Sequence, residues 1–291
     1  MPMQNILDSI QEWLITFLKS CIISNLDGMF DSVNSGVGTV ASQVGMTPAQ
    51  WNAGVFSMIR SISDHVVVPI AGMILTAVLC CELITMIMEK NNLHDFDTFT
   101  LFKWMFKVFV AVYLVTHTFD ITMAIFELSQ YIVQQCSGLI TGSTSISFAE
   151  ALDNVEELLE EMGGGELFGL LVETLLLRIT APAISICVML VLMGRIVEIY
   201  IYCSVGAIPF ATLTNREWGQ IGTNYLRSLA ALGLQGFFIM ICVAVYAVLL
   251  GQIGRTDSIH TAIWTCTGYT VLLCFTLFKT SAVSKSILNA H

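Results

Sequence analysis

Val66 to Met88 reads VVVPIAGMILTAVLCCELITMIM, 23 residues in which Glu82 is the sole charge. Coiled as an α-helix it is about 34 Å long, enough to cross a hydrocarbon layer roughly 30 Å thick. No water reaches backbone groups in such a layer, so the segment must satisfy its own N–H and C=O groups and is expected to be helical. Four further stretches repeat the pattern: Trp104 to Phe126, Thr180 to Ile208, Ser228 to Leu250 and Ala262 to Phe278. Composition agrees, with 55% hydrophobic and 12% charged residues in 291, against about 45–50% and about 25% in soluble domains. Mean hydropathy is +0.77. The expected fold is all-α: a polytopic membrane protein with about five transmembrane helices, an N-terminal amphipathic helix and a long helical external loop.

The flanking regions are different in kind. Ile6, Leu7, Ile10, Trp13, Leu14, Phe17, Leu18, Cys21 and Ile22 follow helical spacing, with Asp8, Gln11, Glu12 and Lys19 between them. One apolar stripe of this sort suits a helix lying along a membrane surface, or equally one packed on a partner. Residues 31–52 are rich in Gly, Ser, Asn and Thr and read as a polar loop leading to a helix around Trp51 to Ile62. The central connection, Glu127 to Arg178, holds nine acids against one base and so carries −8 of the total −10. Ser147 and Glu150 resemble a capping box ahead of a helix from Phe148 to Met162, which Gly163–Gly165 should stop. Leu167 to Leu177 is then expected to form a second helix that joins the third span near Pro182. Glu150, Asp153, Glu156, Glu157, Glu160 and Glu161 are candidates for a partner-facing acidic loop, or for a solvated face with no partner.

Basic residues set the expected topology, because Lys and Arg are enriched on the cytoplasmic side. Seven (Lys90, Lys103, Lys107, Arg216, Arg227, Lys279, Lys285) fall on one side and four (Lys19, Arg60, Arg178, Arg255) on the other, with Arg195 inside the membrane. The N terminus is therefore expected outside and the C terminus in the cytoplasm. The organisation that follows is an external region 1–65, spans one and two in 66–126, an external acidic loop 127–179, spans three to five in 180–278 and a cytoplasmic tail 279–291.

Catalytic signatures are missing: the sequence has no GxxxxGK[ST], HExxH or GxSxG, and its five histidines are dispersed. No CxxC pair exists, which argues against zinc or thiol exchange. No enzyme activity, cofactor or metal site is expected. The informative residues are charges within the spans, where an ionisable group costs roughly 2.5 to 3.5 kcal/mol on insertion scales. Arg195 and Glu198, three apart, are placed to neutralise one another, while Glu82 has no base nearby on its own helix. His117 and Asp120 share a helical face near the end of the second span, as a proton-accepting pair, as half of a metal site or, the reading favoured without a second ligand pair close in sequence, as interfacial hydrogen-bonding groups. These residues either line a polar passage or clamp helices together. No repeated halves of the kind transporters show are visible, which favours clamping. Pro69, Pro182 and Pro209 are candidate kinks.

The run from Arg195-Ile-Val-Glu-Ile-Tyr-Ile201 through Ala207-Ile-Pro-Phe-Ala211 to Arg216-Glu-Trp218, and then Tyr225 to Gln235, resembles the TrbL-like polytopic subunits of conjugation and type IV secretion machines. The likeness is to the compact form carried by integrative conjugative elements, and it covers roughly residues 60–280. It implies a non-enzymatic membrane component that helps form the passage through which a relaxase-bound DNA strand or a protein is moved. It also implies membrane lipid, other secretion subunits including separate ATPases, and further copies of the chain as partners, with nucleic acid only as cargo. Gln235 is the polar residue that the resemblance places on the helix after the inward loop. The reading from another class is an independent solute or ion transporter that uses Glu82, Arg195, Glu198, His117 and Asp120.

Overall fold

The computed structural model describes residues 2–89, 98–141, 155, 158–160, 162–251 and 258–290. Its helices are α1 (Pro2–Val44), α2 (Pro48–Trp51), α3 (Ala53–Ile62), a π-helical turn (Ser63–Val67), α4 (Val68–Glu89), α5 (Thr98–Thr116), α6 (Thr118–Thr141), α7 (Gly164–Val205), α8 (Ala207–Thr212), α9 (Gly219–Gly251) and α10 (Ile259–Ile287). No strand occurs among the described residues. Five stretches are long and apolar enough to cross a membrane: Ala53–Met88, Phe99–Thr116, Gly164–Val205, Gly219–Leu250 and Ile259–Ile287. These are the five expected spans with shifted limits. In α9, 50% of the most apolar window is buried, against 11–22% in the other four. Apolar helices that leave so much surface uncovered need lipid or other proteins around them.

The chain divides into two compact units. One comprises Met1–Val44, Gln135–Leu192 and Ile239–Lys279. Its buried apolar residues include Leu18, Ile22, Leu26 and Met29 of α1, Leu167 and Leu170 of α7, Ile239 and Met240 of α9, and Ile259 and Ile263 of α10. The other comprises Gly45–Gln134, Met193–Phe238 and Thr280–His291. An apolar cluster runs through it from Val67, Ala71 and Leu75 through Ala111, Val115 and Phe119 to Cys203, Phe210, Leu229 and Leu232.

Three local expectations need correction. The region read as a polar loop from residue 31 is helical to Val44. Its hydroxyls fold back on the helix, Ser32 donating to Gly28 O, Ser35 to Ser32 O and Ser42 to Thr39 O, so the polar side chains need no water. Buried Val40 and Val44 extend the face begun by Leu18. The chain turns only at Gly45–Thr47, where Thr47 and Gln50 form a capping box with Pro48 in the first turn of α2. The second span was expected to run unbroken through His117, but α5 ends at Thr116 and α6 begins at Thr118. Here the Thr116 hydroxyl bonds the carbonyls of Val112 and Tyr113, and His117 Nδ1 lies 3.1 Å from Tyr113 O. Lastly, the two segments expected to join near Pro182 are one helix of 42 residues with Pro182 inside it. The expected helix 148–162 lies largely outside the described residues, as do Glu150, Asp153, Glu156, Glu157 and Glu161 of the acidic loop. Glu160 is described and exposed. The cysteines are all free thiols.

Candidate functional site

The polar groups within the spanning helices are the candidate site, since each must be matched in a medium that offers no water. In the unit containing α4 and α5, Glu82 is bonded to Lys107 of α5. The sequence showed no base for Glu82 on its own helix, and the base proves to come from the next one. Glu198 of α7 does not pair with Arg195, as the i, i+3 spacing suggested; it accepts from Lys285 Nζ of α10 at 3.0 Å. Asp120 accepts from Arg60 Nη2 of α3 at 3.0 Å, and the Arg60 guanidinium also lies 5.5 Å above the Phe119 ring. His117 stacks on Tyr113 with ring centroids 4.3 Å apart, and Asp120 is bonded to Arg60 rather than to His117. Sequence spacing reports neighbours on one helix, whereas these carboxylates are satisfied across helices. Lys107, Lys285 and Arg60 were legible only as topology signals, although Lys107 inside an apolar span could have been matched with Glu82.

Neutral groups complete the same unit. Gln235, 4% exposed, donates from Nε2 to Thr280 Oγ1 at 3.4 Å, and the Ser284 hydroxyl donates to Ala231 O. Tyr225 Oη donates to Tyr202 O at 2.7 Å, and the two rings stack at 5.9 Å. Gly206 lies between α7 and α8 with helical backbone angles, and an added Cβ there would lie 2.6 Å from the Tyr225 hydroxyl and 2.8 Å from Thr118 Cγ2. Gly222 on α9 is tighter against main chain, an added Cβ meeting Pro209 O at 2.6 Å. Small residues here allow the close helix approach that packing in lipid relies on. Pro209 sits in α8, and its carbonyl accepts from the Thr212 hydroxyl at 2.8 Å. Pro69 is the second residue of α4 and follows the π-turn Ser63–Val67, where the ladder widens just before the missing N–H.

Arg195 stands apart. It is 8% exposed, forms no hydrogen bond or ion pair with any described residue, and its Nε is enclosed without a partner.

In the unit containing α1, the polar matches are largely neutral. Arg178 Nη1 donates to Asn25 Oδ1 at 2.8 Å, and Asn25 Nδ2 donates to Thr174 Oγ1 at 3.3 Å, tying α1 to α7. His260 Nδ1 lies 2.8 Å from Glu173 Oε2, and the hydroxyls of Tyr246 and Thr270 are 2.7 Å apart. A cavity of about 430 Å³ opens here, lined by Thr39, Pro182, Ser185, Met189, Tyr246 and Leu273 among others. No group of three or more His, Cys, Asp or Glu among the described residues could hold a metal ion.

Helices of this length joined by interhelical ion pairs define a multi-pass α-helical membrane protein. Over residues 33–207, more than half its length, the chain matches the family described as TrbL/VirB6 plasmid conjugal transfer like protein, and it belongs to that family. It is thus a conjugal transfer or type IV secretion component that acts with other subunits of such a machine, in a family of structural transfer components rather than a known enzyme family. The matched stretch includes Arg195 to Ile201 and ends at Ala207, before Trp218 and Gln235. No curated protein matches the chain, and no solved structure does.

Proposed function

We propose that this chain is an inner-membrane structural and channel component of a conjugative type IV secretion machine, helping a relaxase-bound DNA strand or a protein substrate cross the cell membrane. Separate ATPases supply the energy, several copies assemble together, the N terminus is outside and the C terminus is cytoplasmic. The observation that carries this reading is the family match over residues 33–207 on a chain with five helices able to span a membrane. Interhelical pairing of Glu82 with Lys107 and Glu198 with Lys285 supports a packing role for the intramembrane charges over a proton or solute relay. Deleting the gene should abolish conjugal transfer, and a wild-type copy should restore it; undiminished transfer in the deletion strain overturns the reading. Flux of small solutes through liposomes holding this protein alone would instead favour an independent transporter. For orientation, a cysteine introduced at Ser143 in otherwise cysteine-depleted protein should react with an impermeant thiol reagent in whole cells, whereas one at Asn92 should not. The opposite labelling would invert the topology.

A further inference from the structure

Arg195 is a buried cation with no anionic partner among the described residues. Its only acid within one helical turn, Glu198, is already held by Lys285. Every other described carboxylate on the five candidate spans is engaged as well: Asp64 with Arg60, Glu82 with Lys107, Glu166 with Gly163 N, and Glu173 with His260. Among the described residues of these spans, a second copy of the chain thus offers no carboxylate that lacks a bonding partner. Ten residues, about 15 Å of helix, separate Arg195 from the end of α7 at Val205. That distance is comparable with half a hydrocarbon layer of roughly 30 Å. A nucleic-acid backbone requires several free cations in a row, whereas the only other cation on the helix of Arg195 is Arg178, which is bonded to Asn25. One free guanidinium matches one carboxylate, which it can hold in a bidentate fork. The neighbouring residue suits an approaching helix: Gly194 is exposed, and a Cβ added there would meet nothing within 4 Å. Bare backbone of this kind lets a second helix come close.

We propose that Arg195 is the docking point for a carboxylate on a membrane-spanning helix of a different subunit of the secretion machine. The proposal rests on the chain working within such a machine. The test compares Arg195→Met and Arg195→Lys in the full chain, alone in detergent and in the complete transfer system. Alone, Arg195→Met should keep or raise Tm, because it removes an enclosed charge that has no partner. In the complete system it should lower transfer at least 100-fold and lose a co-purifying membrane subunit, and Arg195→Lys should retain more of both. A photo-crosslinking residue at Gly194 should trap that subunit on a helix bearing Asp or Glu, whose amide variant repeats the loss. A fall in Tm for isolated Arg195→Met would place the partner within the chain and overturn the proposal. Transfer retained by Arg195→Met, or crosslinks solely to a second copy or to lipid, would overturn it too. If deleting the whole gene leaves transfer intact, the secretion reading itself has failed; if deletion abolishes transfer and Arg195→Met does not, only the docking has.

Discussion

The two compact units solve the same problem with different chemistry. In the unit built around α4 and α5, carboxylates on one helix meet cations on another: Glu82 with Lys107, Asp120 with Arg60, and Glu198 with Lys285. Glycines there sit so close to neighbouring atoms that a Cβ has no room. The unit built around α1 is joined mostly by neutral or singly charged hydrogen bonds, through Asn25, Thr174, Arg178, Tyr246 and Thr270, and it leaves an open cavity of about 430 Å³. An ion pair in lipid fixes which helices meet and in what register, because a slip of one turn strands two charges. A hydroxyl that can turn back on its own helix imposes no such constraint. The first arrangement therefore specifies geometry tightly, while the second tolerates rearrangement.

The largest effect concerns what both units share: without detergent the purified chain should aggregate, and a monodisperse species in plain buffer would undo the membrane reading of each. Next, Glu82→Ala should lower stability in detergent by about 2 kcal/mol, because it leaves the Lys107 ammonium without a counter-charge. Adding Lys107→Ala should recover part of that loss, and additive effects in the double-mutant cycle would show that the pair does not couple. Gly222→Val should cost about 1–3 kcal/mol by overpacking against Pro209 O. In the other unit, Asn25→Ala should cost only about 1 kcal/mol, the net worth of ordinary hydrogen bonds. The smallest effect is expected at the cavity, where Ser185→Leu should shift stability by no more than about 0.5 kcal/mol, since the new side chain enters open space. A cost at Ser185 equal to that at Gly222 would erase the contrast.

Several features were legible before any coordinates. Apolar runs of helical length in a chain with 12% charged residues leave a bilayer as the medium and helices as the only spanning form. The Arg195 to Ile201 segment pointed to the family that the match over residues 33–207 shows. Other features were misread for identifiable reasons. The Gly- and Ser-rich stretch after residue 31 looks like a loop because its polar groups ask for water, but they are satisfied by carbonyls three or four residues back on α1. Spacing of three residues joined Arg195 to Glu198 on paper because it measures one helix at a time.

The order of residues by itself determined the medium, the number of spanning helices and which charges would be costly, since all three depend on local composition and length. Which cation meets which carboxylate was decided only in three dimensions, because Lys107 and Lys285 reach their partners from helices 25 and 87 residues away in the chain. The same packing left Arg195 buried and without a partner among the described residues, a property of neighbouring helices that no single stretch of sequence contains.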